Sequence, residues 1–218
     1  MKKLLLALIV AIFTIPCMAQ KDKAAPALED KTDIKLPAPT QKGGMPLYDA
    51  LNNRQTNRTF SDKELSQQML SDLLWCAGGV NRPDGKLTSP TARNAQEIDI
   101  YVFMSSGIYL YMPKDNVLKL ISTEDLRGEV SPNSKMPAEA PVTLLFYANY
   151  EKMGNFSEEA REFYGATDAG FVSQNVYLYC AANKLNTVVM GAIDRDRLHE
   201  IIGMEGKAIL AQPVGYAK

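Results

Sequence analysis

Three short stretches carry residues whose type and spacing could do chemistry. Arg54-Gln55-Thr56-Asn57-Arg58 sets two guanidinium groups four residues apart with a hydroxyl between them. Such a set can converge on one dianion, each arginine giving bidentate charge-assisted bonds and Thr56 a neutral donor; a solvated basic turn is the plainer alternative. Pro90-Thr91-Ala92-Arg93-Asn94-Ala95-Gln96 gathers small and amide side chains in one loop. That composition suits close backbone approach and edge hydrogen bonds to a flat polar ring, or simply an Asn-containing turn. Val189-Met190-Gly191-Ala192 places a glycine at a strand end, where a ligand can approach the backbone or the chain can turn tightly.

Other chemistries fail on spacing. Gly79 and Gly85-Lys86 imitate a phosphate loop, but five residues separate the glycines where four are needed, and Leu87 replaces the required hydroxyl. His199-Glu200 begins like a metalloprotease helix, yet His199 is the chain's one histidine. With three cysteines besides, zinc sites are poorly served and no metal is expected; His199 reads as a solvated helix residue. No glycine fingerprint for a dinucleotide follows a strand pattern. Cys76 and Cys180 sit in apolar neighbourhoods, Leu73-Leu-Trp-Cys-Ala77 and Tyr177-Leu-Tyr-Cys-Ala181, which favour free buried thiols over a disulfide.

The elements that must position these stretches follow from periodicity. Leu47 to Asn53 reads as a short helix. Ser61 and Glu64 form a capping box for a helix through Leu65, Met69, Leu73 and Leu74 to Ala77, stopped by Gly78-Gly79. Ile98–Ser105 and Ile108–Met112 read as a hairpin turning at Ser105-Ser106-Gly107, and 141–148 as a central strand covered on both faces. Thr167 to Asn183 reads as a buried helix, Thr187 to Ala192 as a strand, and Ala208 to Val214 as the last strand. Asp194 caps a helix ending at Gly203. Interleaved helices and mostly non-consecutive strands give an α+β class.

The whole chain has 218 residues, 46% hydrophobic and 22% charged, with a net charge of -1. One sizeable core is affordable at that length, and no basic excess exists for nucleic acid. Lys2 and Lys3, the apolar run from Leu4 to Ile15 and Cys17-Met18-Ala19 have the order of a secretory signal peptide. The run is too short to span a bilayer, so no stable membrane insertion is expected after cleavage. The expected organisation is a signal peptide at 1–19, a Lys-, Ala- and Pro-rich flexible tether at 20–45 and one domain at 46–218, exported to the periplasm or secreted.

Taken in order, these stretches resemble the nitroreductase-like flavoenzyme superfamily, and within it the branch of SagB-type dehydrogenase domains. The resemblance rests on 54–60, 73–82, 84–97, Ala169-Gly-Phe-Val-Ser-Gln-Asn175 and Val188-Val-Met-Gly-Ala192, and spans about Pro46 to the C-terminus. Thr56 and Thr91 stand where serine is common, and Leu87 where related sequences often carry arginine.

The resemblance implies a sandwich with a central mixed or antiparallel sheet flanked by helices, forming a homodimer with FMN at its interface. Arg54, Thr56 and Arg58 match the positions that hold the FMN phosphate and ribityl chain. Pro90, Thr91, Ala92 and Asn94 match the loop on the isoalloxazine ring, and Met190 and Gly191 the backbone facing flavin N5. Hydride transfer to or from a small organic molecule then belongs to the flavin, with no catalytic acid or base among the side chains. Nitro or quinone reduction and azoline-type dehydrogenation both fit. NAD(P)H is the usual family reductant, but export away from it points to an unknown periplasmic donor or to a non-catalytic flavin- or ligand-binding envelope protein.

Overall fold

An unbroken apolar run must be covered on both faces, and Val142–Asn149 is buried along its whole length as β5, near the middle of the sheet. The computed structural model describes residues 32–218. The expected signal peptide and the first part of the expected tether lie outside the described residues. Seven strands form one sheet in the order β1-β4-β3-β2-β5-β7-β6: β1 (Ile34–Lys35), β2 (Ile98–Met104), β3 (Gly107–Met112), β4 (Val117–Ser122), β6 (Leu185–Thr187) and β7 (Gly206–Tyr216) join β5. Every pairing is antiparallel, with Ile98 opposite Ala148 and Val142 opposite Val214.

Alternation along β2 and β5 sends side chains to two different layers. Ile98, Ile100, Val102, Leu144 and Phe146 face α2 (Gln67–Gly78) and α4 (Glu158–Ala182), meeting Leu73, Leu74, Val172 and Val176. Tyr101, Phe103, Leu145 and Tyr147 face the other way, onto Met190 and onto Leu198 and Ile202 of α5 (Arg195–Ile202). α1 (Leu47–Asn53) packs on α4, and the short α3 (Met136–Glu139) precedes β5. The α+β class holds, and the helices flank an antiparallel sheet.

The structure departs from the sequence expectations in four places. α2 starts at Gln67 with Ser66 as its cap, accepting from Met69 N, instead of at Ser61. Ser61 N–H is taken by Tyr216 O, so pairing to β7 outcompetes the local capping box. α4 begins nine residues before Thr167, where Ser157 caps it and Glu158 and Glu159 favour its positive end. The strand expected at 187–192 is β6 at Leu185–Thr187, followed by a separate bridge from Met190 to Ala211.

The fourth departure is the end of the expected tether. Ile34 and Leu36 are buried, Asp33 accepts Leu120 N–H, Pro37 O accepts from Ser71 and Asn116, and Thr40 N–H donates to Asp72. Residues 33–40 are therefore a strap over β4 and α2.

Candidate functional site

Tyr177 of α4 organises the first part of the site. Its hydroxyl lies 2.9 Å from Thr56 Oγ1 and accepts Val189 N–H at 3.0 Å. The half-buried Arg54 guanidinium rests 5.2 Å above the Tyr177 ring, where the ring quadrupole attracts a cation. Asn57 N–H donates to Thr187 O and Asn186 Nδ2 to Thr59 O, so the 54–59 segment is joined to the 186–189 segment by two direct bonds and by the bridge through the Tyr177 hydroxyl. The structure thus brings Arg54, Thr56 and the approach to Met190-Gly191 together. Arg58 is exposed beside them. Met190 spends its N–H and C=O on Ala211, which leaves Gly191 as the exposed residue of that pair.

The 90–96 loop is built on backbone strain and a buried carboxylate. Arg93, Asn94 and Gln96 all have positive φ, 52°, 55° and 52°. Left-handed backbone costs a residue with a Cβ on the order of 1–2 kcal/mol, least for Asn. The loop is held by Thr91 Oγ1 accepting Gln96 N–H at 2.9 Å and by Ala92 N–H donating to Asp168 Oδ2 at 2.9 Å. Asn94 Oδ1 accepts from Gln96 Nε2, and Pro90 is exposed. Directly after the loop, Glu97 is fully buried with no donor to either carboxylate oxygen among the described residues. Burial first, and then the neighbouring Asp168 carboxylate, pushes the Glu97 carboxyl up to about 7.

No hydrogen bond among the described residues joins the two parts. Both hang on α4, where Asp168 and Tyr177 stand nine residues apart, about 13 Å along the axis. A cavity of about 490 Å³ adjoins the arginine segment, lined by Asn53, Gln55, Asn57, Lys184 and Asn186. Another of about 550 Å³, lined by Thr40, Trp75, Cys76 and Tyr179, touches none of the candidate residues. Cys76 borders that second cavity as a free thiol whose burial pushes it up to about 11, and Cys180 is free and fully buried, so neither is a ready nucleophile. His199 is exposed but tied: Tyr147 OH donates to Met204 O at 2.7 Å, so His199 Nδ1–H is the donor across the 2.9 Å to Tyr147.

The donor set suits a phosphorylated, flat, polar ligand. None of the ion pairs among the described residues engages Arg54 or Arg58, so both keep their charge for an external anion. Thr56 is held in place by a hydroxyl partner, and a Cβ at Gly191 would meet only Leu210, at 3.9 Å, which shows open space in front of that backbone. Sequence reasoning missed Tyr177, Asp168 and Glu97. Nothing local marks the last two: Glu97 stands two residues from Asp99, and Asp168 is one carboxylate in an otherwise ordinary helix.

Comparison with known proteins identifies the family. The sequence profile of the nitroreductase family matches residues 51–216. A nitroreductase-family protein of Methanocaldococcus jannaschii is 29% identical over 195 residues, 85% of this chain and 97% of its own. A nitroreductase-type structure from Ralstonia eutropha is 35% identical, covering 86% of this chain and 90% of that one with a TM-score of 0.79. A Staphylococcus epidermidis protein assigned as an NAD(P)H:FMN oxidoreductase shares the fold at 14% identity, with a TM-score of 0.62 over 83% of this chain and 91% of that one. An antiparallel sheet with the arginine segment and the glycine turn drawn together on one long helix, and a profile match running through all three candidate stretches, lead to one assignment: the chain belongs to the nitroreductase family of oxidoreductases.

Proposed function

We propose that this family member is an exported FMN-dependent oxidoreductase that acts as a homodimer on a small organic substrate. The observation that carries the reading is the Tyr177 bridge, which fixes Thr56 and Val189 to one hydroxyl and sets Arg54 above the same ring. Arg54 and Arg58 would hold the phosphate as bidentate donors. Tyr177 accepts from Val189 N–H and pairs with the Thr56 hydroxyl; with the Tyr177 proton given to Thr56, the Thr56 hydroxyl proton would be available to the anion. Gly191 would present open backbone to the ring, and the 90–96 loop would supply amide and backbone groups to its polar edge. When bound, the flavin supplies the hydride chemistry; the chain's residues bind, orient and exclude water.

Dimerisation is supported by the apolar surface that one chain leaves uncovered. Leu47, Tyr48 and Leu51 of α1 and Phe163 and Phe171 of α4 are exposed, at 61%, 81%, 46%, 63% and 45%. The 13 Å offset between the two parts of the site along α4 fits a ligand that takes the arginine segment from one protomer and the loop from its partner. Export rests on the Lys2-Lys3, apolar-run and Ala19 pattern. No helix among the described residues is long and apolar enough to cross a membrane.

The test is an absorbance spectrum of the purified protein, before and after incubation with FMN, followed by anaerobic titration with NADH and NADPH. A flavin spectrum that bleaches with a reductant and returns with an acceptor is expected. Protein that holds no flavin and takes none up would refute the proposal.

A further inference from the structure

The mechanism above uses neither Glu97 nor Asp168, although both are buried and both lie under the loop assigned to the flavin ring. Glu97 is fixed from behind, its carbonyl accepting Asn149 N–H at 2.9 Å, and neither carboxylate oxygen has a donor among the described residues. Asp168 arrives from α4 with 3% exposure and gives Oδ2 to Ala92 N–H. Two buried carboxylates cannot both hold their charge here. The cation that bears on Glu97, Lys152 from the turn after β5, is bound to Asp99 of β2 at 2.5 Å and to Gln96 O at 3.3 Å, with Asn149 Nδ2 on the other Asp99 oxygen at 2.9 Å. Arg93 of the loop itself turns outward, over the Phe156 ring at 4.7 Å.

We infer that Glu97 and Asp168 share one buried proton, Glu97 donating to the Asp168 carboxylate, and that this acid–carboxylate pair is the clamp that fixes the 90–96 loop. A buried acid oxygen without a donor is satisfied if it becomes a donor, and Asp168 is the acceptor in place. The proton leaves Asp168 negative, which strengthens its bond from Ala92 N–H. Loss of the proton to solvent places two negative charges in a dry pocket and loosens the anchor of three left-handed residues. Glu97 and Asp168 are thus positioning residues, acting on the ring-side loop without touching substrate. The consequence for catalysis rests on the reading of 90–96 as the flavin loop; the shared proton does not.

The sign of the pH dependence is fixed. Glu97 titrates at about 7 in the fold, above its ordinary value of 4.5, so the native state keeps a proton that the unfolded chain releases. The stability it contributes is complete below 4.5 and lost as pH climbs through 7. Above 7, each further pH unit cuts the protonated share about tenfold.

The experiment compares the flavin-free full chain with Glu97→Gln, whose amide donates to Asp168 at every pH. Infrared spectra should show a buried carboxylic acid band in the wild type that fades between pH 6 and 8 and is missing in E97Q. Hydrogen exchange across 90–97, corrected for intrinsic rates, should accelerate by roughly tenfold between pH 6.5 and 8.5 in the wild type and stay level in E97Q. A wild type without the acid band, or identical exchange profiles in the two proteins, would overturn the inference. If E97Q does not fold, the wild-type infrared titration alone decides. None of these readouts needs flavin, so failure of the proposed cofactor leaves this inference standing, and the reverse holds too.

Discussion

The two parts of the site hang on the same helix and are built on opposite principles. At Tyr177 a neutral hydroxyl ties together Thr56 and Val189, and the charges, Arg54 and Arg58, are left for the ligand. At Asp168 the charge is consumed inside the protein, and what the loop offers outward is strained backbone and amides. The arginine part is suited to affinity, since it presents uncommitted cations to an anion. The loop part is suited to orientation: apart from Arg93, which lies over the Phe156 ring, its groups are uncharged, and its shape is over-determined from beneath.

Substitutions should separate these roles, the largest effect first. Arg54→Ala removes a charged donor worth about 1.5–3 kcal/mol, so FMN binding followed by fluorescence titration should weaken roughly 10- to 100-fold. Thermal stability should change little, because Arg54 has no carboxylate partner among the described residues. Tyr177→Phe leaves Val189 N–H and Thr56 without their partner, for a loss of about 1–3 kcal/mol in unfolding experiments. That loss should be equal at pH 6 and pH 8; a pH-dependent loss would erase the contrast between the two parts.

At the other part, Asp168→Asn keeps an acceptor for Ala92 N–H and removes the charge beside Glu97. Glu97 should then titrate lower, and the variant should lose about 1 kcal/mol against the wild type at pH 5, where the shared proton is in place, with the loss shrinking toward pH 8. The smallest effect is expected at Asn94, with φ of 55°. Asn94→Gly should be neutral within about 0.5 kcal/mol and Asn94→Ala should cost about 1 kcal/mol in thermal unfolding, because Asn tolerates the left-handed region better than Ala does.

Local signals account for what could be read from the sequence. Asp194 and Gly203 cap α5 as their types demand, the β2–β3 hairpin turns at Ser105-Ser106-Gly107, and α1 runs from Leu47 to Asn53. The buried run of β5 was equally plain. What escaped depended on distant partners. Ser61 is a good cap by type, but its N–H meets Tyr216, which lies at the far end of the chain. Ile34 and Leu36 alternate like a strand, yet only β4 and α2 give them something to cover. The arginine, loop and glycine stretches were visible as chemistry. Tyr177, Asp168 and Glu97, which hold them in place, were not, since an aromatic or a carboxylate in a helix or at a strand start gains meaning only from its neighbour in space.

The strap at 33–40 carries a practical consequence. It delivers the chain to β1, the opposite edge of the sheet from β6. Six inter-strand spacings separate these edges, about 29 Å. A fluorophore, affinity handle or surface linkage attached ahead of residue 32 therefore joins the fold on the side remote from Thr187 and Gly191, so an immobilised protein would keep its glycine turn facing open solution.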